Sequence, residues 1–213
     1  MSRRGYGQFC GLARALEIVG ERWALLIVRD LLVSPKRFTD LRLGLPRIPT
    51  NILSARLKEL EQAGIIHRRA LPRPAAAVVY ELTEYGHELE DVVIRLGRWG
   101  AKSLSEPGPE DILTTDAMIM AIRAAFRPEA AGGDDVSYEL RVGEVVIHFR
   151  AGRGELAVAA GALPEADLAI ETGPAIRALM TGELGPADAI ARESVRLTGD
   201  SELLTRFVEM FRL

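Results

Sequence analysis

The 213-residue chain contains a single cysteine, Cys10, and three histidines, His67, His87 and His148, set far apart. One thiol excludes an intrachain disulfide framework and a zinc site built on cysteines. The scattered histidines offer no metal-ligand spacing, so no metal or other cofactor is expected. Aromatic residues make up 6% of the chain, and no apolar run reaches the roughly 18 residues that span a bilayer. The opening MSRRGYGQFC lacks the apolar core of a secretory signal. These absences predict a cytoplasmic protein with no membrane partner. A P-loop, a GxSxG elbow, a dinucleotide fingerprint and a carboxylate pair beside a histidine are also missing. The GRG at residues 152–154 suits a hairpin turn, and no enzymatic activity is expected.

What is present is the composition of a folded globular protein, 48% hydrophobic and 27% charged, long enough for one large domain or two small ones. The Pro/Gly-rich SEPGPED, residues 105–111, reads as a linker between domains at residues 1–104 and 112–213. The net charge of −3 conceals an asymmetry between them: residues 1–104 carry 17 basic and 11 acidic side chains, residues 105–213 carry 10 and 19. Residues 36–73 alone hold 9 basic and 3 acidic side chains. A basic patch on an acidic protein is a footprint for a polyanion, because binding releases condensed counterions; a solvated face is the alternative.

Periodicity in the first half predicts helices over GLARALEIVG, the almost wholly apolar ERWALLIVRDLLV, and KRFTDLRLGL, which Gly44 and Pro46 end. A further helix is expected from Thr50, after Pro49, to a stop at Gly64. On it Leu53, Leu57 and Leu60 form one stripe, while Asn51, Ser54, Ala55, Lys58 and Gln62 cluster opposite. Such an outer face can read base edges: amides bond adenine, a hydroxyl donates or accepts, and a methyl packs on thymine. A short helix, a turn and this helix form a helix-turn-helix. IIHRRA and AVVYELT read as strands joined by LPRPAA, a wing. Arg68 and Arg69 alternate across it, so one faces a phosphate, and Arg73 sits at the tip, within reach of a minor groove.

The segments FCGLARALEIVGERWALLIVRDLL, KRFTDLRLGLPRIPTNILSARLKELEQAGIIHRR and VVYELTEYGHEL, in this order, resemble the HxlR-type winged-helix transcriptional regulators of bacteria, relatives of the MarR group. The resemblance covers about residues 6–100. It implies a homodimer on a palindromic double-stranded operator, with DNA contacts at Thr50, Asn51, Ser54, Arg56, Lys58 and Arg73; of the two alternating strand arginines, Arg69 joins these as a candidate from the residues themselves. It also implies dimer contacts from the first helix and from the long helix after the wing. In the latter, TEYGHELEDVVIRLGRWGAKSL, a seam of Tyr85, Leu89, Val92, Leu96 and Trp99 suits a partner helix in another subunit or within one. Cys10 stands where many members carry an oxidant-sensing cysteine, though Gly11 replaces the usual following proline. A helix start with Arg14 one turn on favours a thiolate; a small buried apolar residue is the alternative.

The second half reads as α+β. TTDAMIMAIRAAF is an amphipathic helix, VSYELRVGEVVIHFRAGRGELAVAAG three strands, ADLAIETG a fourth, and strand-like SVRLTGD lies between C-terminal helices. This order resembles a sterol-carrier-protein-2-like domain, over about residues 112–211. The resemblance implies a small, mainly antiparallel sheet covered by helices, with an apolar cavity for a lipid-like or other hydrophobic small molecule, bound as an effector or, in the alternative, as the cargo of a lipid carrier. Met118, Ile122, Phe126, Phe149, Leu179, Met180, Phe207, Met210 and Phe211 would line it. The same residues serve equally as plain core.

Overall fold

A computed structural model describes residues 5–72, 76–105, 107–108 and 110–213. The chain divides into two compact units, Met1–Val93 and Ile94–Leu213. No helix among the described residues is long and apolar enough to cross a membrane.

The first unit comprises α1 (Gly11–Val19), α2 (Ala24–Val33), α3 (Phe38–Gly44), α4 (Thr50–Gln62), a hairpin of β1 (Ile66–Ala70) and β2 (Val78–Leu82), and α5 (Glu84–His87). Its core is Ile27, Val28 and Leu31 of α2, Leu41 of α3, the Leu53, Leu57 and Leu60 stripe of α4, and Ile65 and Ile66 beyond it. α3 begins where Asp40 accepts the Arg37 N–H at 2.9 Å, which satisfies a donor that the helix cannot use itself. α4 ends at Gly64 as its sequence predicts. With φ +73 at Gly64, the Gly64 N–H reaches the Glu61 carbonyl (3.1 Å) and the Ile65 N–H the Leu60 carbonyl (2.9 Å). This paired Schellman closure turns the chain directly into β1. β1 and β2 are antiparallel, with Ile66 opposite Leu82, Arg68 opposite Tyr80 and Arg69 opposite Val79. Lys36 bridges Tyr80, so the α2–α3 link forms a third member of this small sheet.

The long helix expected after the wing is broken. α5 is capped by Thr83, whose hydroxyl accepts from the Gly86 N–H and donates to the Gly64 carbonyl at 2.6 Å. At Gly86 a β-carbon would lie 2.1 Å from the Ile65 carbonyl oxygen, so only glycine permits this close approach. The chain turns at Glu88 and Leu89 and resumes as α6 (Glu90–Ala101). No residue of α6 is buried, and Val92, Leu96 and Trp99 face solvent.

The second unit holds α7 (Thr115–Ala125), a turn of 3-10 helix at Pro128–Ala130, and five further strands: β3 (Val136–Val142), β4 (Val145–Gly152), β5 (Glu155–Ala160), β6 (Leu168–Thr172) and β7 (Val195–Gly199). α8 (Ala175–Thr181), α9 (Pro186–Ala191) and α10 (Leu203–Met210) complete it. The sheet order is β5-β4-β3-β6-β7, antiparallel except for the β3–β6 pair. Tyr138, Leu140, Ile147, Phe149, Leu168 and Ile170 share its buried face. Phe149, Phe207 and Phe211 meet there at centroid distances of 5.0 to 6.1 Å. Burial pushes the Tyr138 hydroxyl above its ordinary pKa, and the hydroxyl donates to the Leu203 carbonyl. On the opposite face, Asp167 accepts from the Ser137 N–H and hydroxyl (2.8 and 2.6 Å), and buried Glu139 accepts from Arg141 (2.6 Å). Arg98 of α6 donates to the carbonyls of Ala124 and Phe126, supplying positive charge at the C-terminus of α7.

Candidate nucleic-acid interface

α4 turns its leucines inward and leaves Thr50, Asn51, Ser54, Lys58 and Gln62 exposed. The Ser54 hydroxyl donates to the Thr50 carbonyl at 3.0 Å, which leaves its oxygen free to accept. Pro49 at the N-cap supplies no side-chain acceptor. The first-turn N–H groups are therefore without a side-chain cap, at the end of the helix that favours anions. Ser54, Lys58 and Gln62 of α4 and Arg68 and Tyr80 of the hairpin border one open depression of about 590 Å³.

The two strand arginines occupy different surroundings. Arg69 was the one expected to face DNA, yet its guanidinium is held by Glu81 across the hairpin (2.7 Å), and His67 Nε2 reaches the same carboxylate (2.8 Å). The hydrogen bond from Arg69 holds the Glu81 carboxyl below its usual range, against the opposing effect of desolvation. Arg68 lies on the α4 side, its Nε 3.0 Å from Glu61, whose hydrogen bond and charge raise the guanidinium pKa further. Parity carries the signal that would have found it. Residues 66 and 68 share a strand face, and Ile66 is buried against the unit that contains α4.

Arg56 is the other departure. Its side chain is 17% exposed, between Glu59 and Glu21, the latter at 3.6 Å. At 100° per residue it falls within about 60° of Leu53 and Leu60, on the flank of the apolar stripe rather than on the outer face. Arg73, expected at the wing tip, lies outside the described residues.

Cys10 is exposed at the N-cap of α1 and borders an open hollow of about 390 Å³ with Phe9, Arg14 and Glu17. The Arg14 guanidinium expected to act on the thiol instead pairs with Glu17 at 3.1 Å. Phe9, Leu12 and Leu16 are exposed beside it. In the second unit, Met118, Ile122, Phe126, Phe149, Leu179, Met180, Phe207, Met210 and Phe211 are all buried, and the rings of Phe126, Phe149, Phe207 and Phe211 lie against one another.

The HxlR-like helix-turn-helix family profile matches residues 18–107. The chain is similar to the HTH-type transcriptional regulator YodB of Bacillus subtilis, 40% identical over 94 residues, which cover 44% of this chain and 83% of that protein. It is similar to the uncharacterised HTH-type transcriptional regulator YdeP of the same organism, 36% identical over 93 residues, covering 44% of this chain and 73% of YdeP. The solved structure of reduced YodB from B. subtilis matches with 34% identity and a TM-score of 0.41, over 47% of this chain and 100% of that one. Relatives at this identity, matched over most of their length, show that the chain belongs to the HxlR-like helix-turn-helix family of transcriptional regulators.

Proposed function

We propose that two copies of this chain bind a palindromic operator and repress transcription, each laying α4 in the major groove with its hairpin along the flanking backbone. The observation that carries this reading is the α4 face, where Asn51, Ser54 and Lys58 stand exposed opposite buried Leu53, Leu57 and Leu60, with Arg68 alongside. A face of amide, hydroxyl and one ammonium matches base edges and phosphates better than it matches bulk water alone. The homodimer is supported by apolar side chains left in water at Phe9, just before α1, on α1 itself (Leu12, Leu16) and on α6 (Val92, Leu96, Trp99). The protein acts by binding rather than by catalysis, in the cytoplasm where an operator is accessible. Selection from a random duplex pool followed by footprinting tests this. Two protected half-sites about ten base pairs apart support it, and affinity that is absent or independent of salt counts against it.

Two modes of control have structural support. Exposed Cys10 is open to oxidation, and with a single cysteine per chain the resulting disulfide must join two subunits or a small thiol. Operator release by oxidant that persists in Cys10→Ser removes this reading. In the second unit, the Met- and Phe-rich wall is adaptable enough to admit a hydrophobic effector, as the sterol-carrier-like resemblance implies. Entry requires the Phe149, Phe207 and Phe211 rings to part. Mass spectrometry of molecules extracted from purified protein, then a footprint with any hit added, decides whether that occurs.

A further inference from the structure

Arg56 sits in the recognition helix, yet the structure gives it other work than reading DNA. Its guanidinium is drawn back toward the protein, between Glu59 one turn along α4 and Glu21, which follows the Gly20 cap of α1. Its Nε is buried and meets no acceptor. To reach a base edge, the side chain would have to leave both carboxylates and cross from the leucine flank to the outer face.

The segment that holds Glu21 is itself fixed. The Glu21 carbonyl accepts the Ala24 N–H at 3.0 Å. Trp23 is held at φ +82, a left-handed conformation that L residues adopt only when surrounding packing imposes it. The Arg22 guanidinium stacks 5.2 Å above the Trp23 ring. The backbone that carries Glu21 is thus fixed, its carboxylate, 66% exposed, stands 3.6 Å from Arg56, and α1, which ends there, packs against α4.

We infer that Arg56 is a positioning residue: its ion pair with Glu21 sets the rotation and seating of α4 against the α1–α2 turn, so that Asn51, Ser54 and Lys58 present together. This deepens the operator-binding reading above and rests on it. The inference has an unusual sign. Removing an acidic side chain beside DNA ordinarily raises affinity, because a repulsive charge is lost. Removing Glu21 lowers operator affinity here, because Arg56, still held by Glu59, loses its tie to the α1–α2 turn.

The test measures operator binding by the full-length protein, across a salt series, for wild type, Glu21→Gln, Arg56→Gln, Arg56→Lys and the Glu21→Gln/Arg56→Gln pair. Glu21 is on the surface, so Glu21→Gln keeps the fold whatever Arg56→Gln does, and thermal melts check both. The expected result is a loss of about three- to tenfold for each single variant, with the double variant no worse than either. Arg56→Lys retains part of the affinity, having the charge without the fork. The log–log salt slope stays at the wild-type value throughout. Unchanged or improved affinity in Glu21→Gln overturns the inference, as do additive losses, or a slope reduced in Arg56→Gln as for a phosphate contact. Wild type that binds no duplex overturns instead the DNA-binding reading itself.

Discussion

Lys58→Ala tests the electrostatic half of the DNA-binding reading. Lys58 is exposed on the outer face of α4, whereas Arg56, Arg68 and Arg69 are each already held by a carboxylate of the same unit. An arginine that exchanges a protein carboxylate for a phosphate reports poorly on counterion release, and Lys58 reports cleanly. Each phosphate neutralised contributes about 0.9 to the slope of log affinity against log salt, so one Lys58 on each of two copies contributes about 1.8. Between 50 and 200 mM salt, a fourfold change, that slope difference amounts to about a 12-fold change in the ratio of wild-type to variant affinity. Fluorescence anisotropy on the selected operator and on a scrambled duplex, at four salt concentrations, measures it. The expected outcome is a wild-type line steeper than the variant's by about 1.8, on both duplexes, with the two proteins converging at high salt. Parallel lines would refute the argument, since Lys58 would then touch no phosphate however much affinity the substitution removes.

Asn51→Ala leaves the salt slope alone and relaxes base choice, losing about 1–3 kcal/mol of discrimination at one base pair per half-site, read by competition with single-position operator variants. Trp99→Asp places a charge on the exposed α6 stripe without touching the core; sedimentation should shift to the monomer mass with the circular dichroism unchanged, and an intact dimer would remove α6 from the interface. Gly64→Ala meets no atom within 4 Å but must hold φ +73, so urea unfolding should show a loss of about 1 kcal/mol from backbone strain alone. In the second unit, hydrogen bonds from Ser137 hold the Asp167 carboxyl below its ordinary value of 3.8. A depressed folded pKa means stability that is complete above about pH 4 and is lost as pH falls through the folded value. Ser137→Ala, which removes the hydroxyl and keeps the backbone N–H, should therefore flatten the acid limb of the stability curve below about pH 4, and an unchanged limb would show that the hydroxyl contributes nothing.

Much of this was legible in the sequence because local chemistry decided it. Leu53, Leu57 and Leu60 recur at helical spacing, and Gly64 is the residue that tolerates the left-handed turn after them, so α4 and its end followed from pattern alone. Strand composition around LPRPAA located the wing, and alternating apolar residues located the strands of the second unit. The HxlR-type resemblance rested on the local features of the first unit, and the match at residues 18–107 bears it out.

What only the tertiary structure decided lies in contacts between residues distant in the chain. Glu21 and Arg56 are 35 positions apart, and nothing in helical periodicity announces that they meet. The close approach of Gly86 to the Ile65 carbonyl, 21 positions away, is another such contact. Arg68 and Arg69 are chemically identical neighbours. The register that sets Ile66 inward sent one toward Glu61 of α4 and the other to Glu81. Hydrophobic spacing names which residues go inside; that Phe149, Phe207 and Phe211 meet one another depends on how the sheet and helices close. Short-range stereochemistry is written along the chain, and the pairing of charges and the filling of space are settled only when the chain has folded.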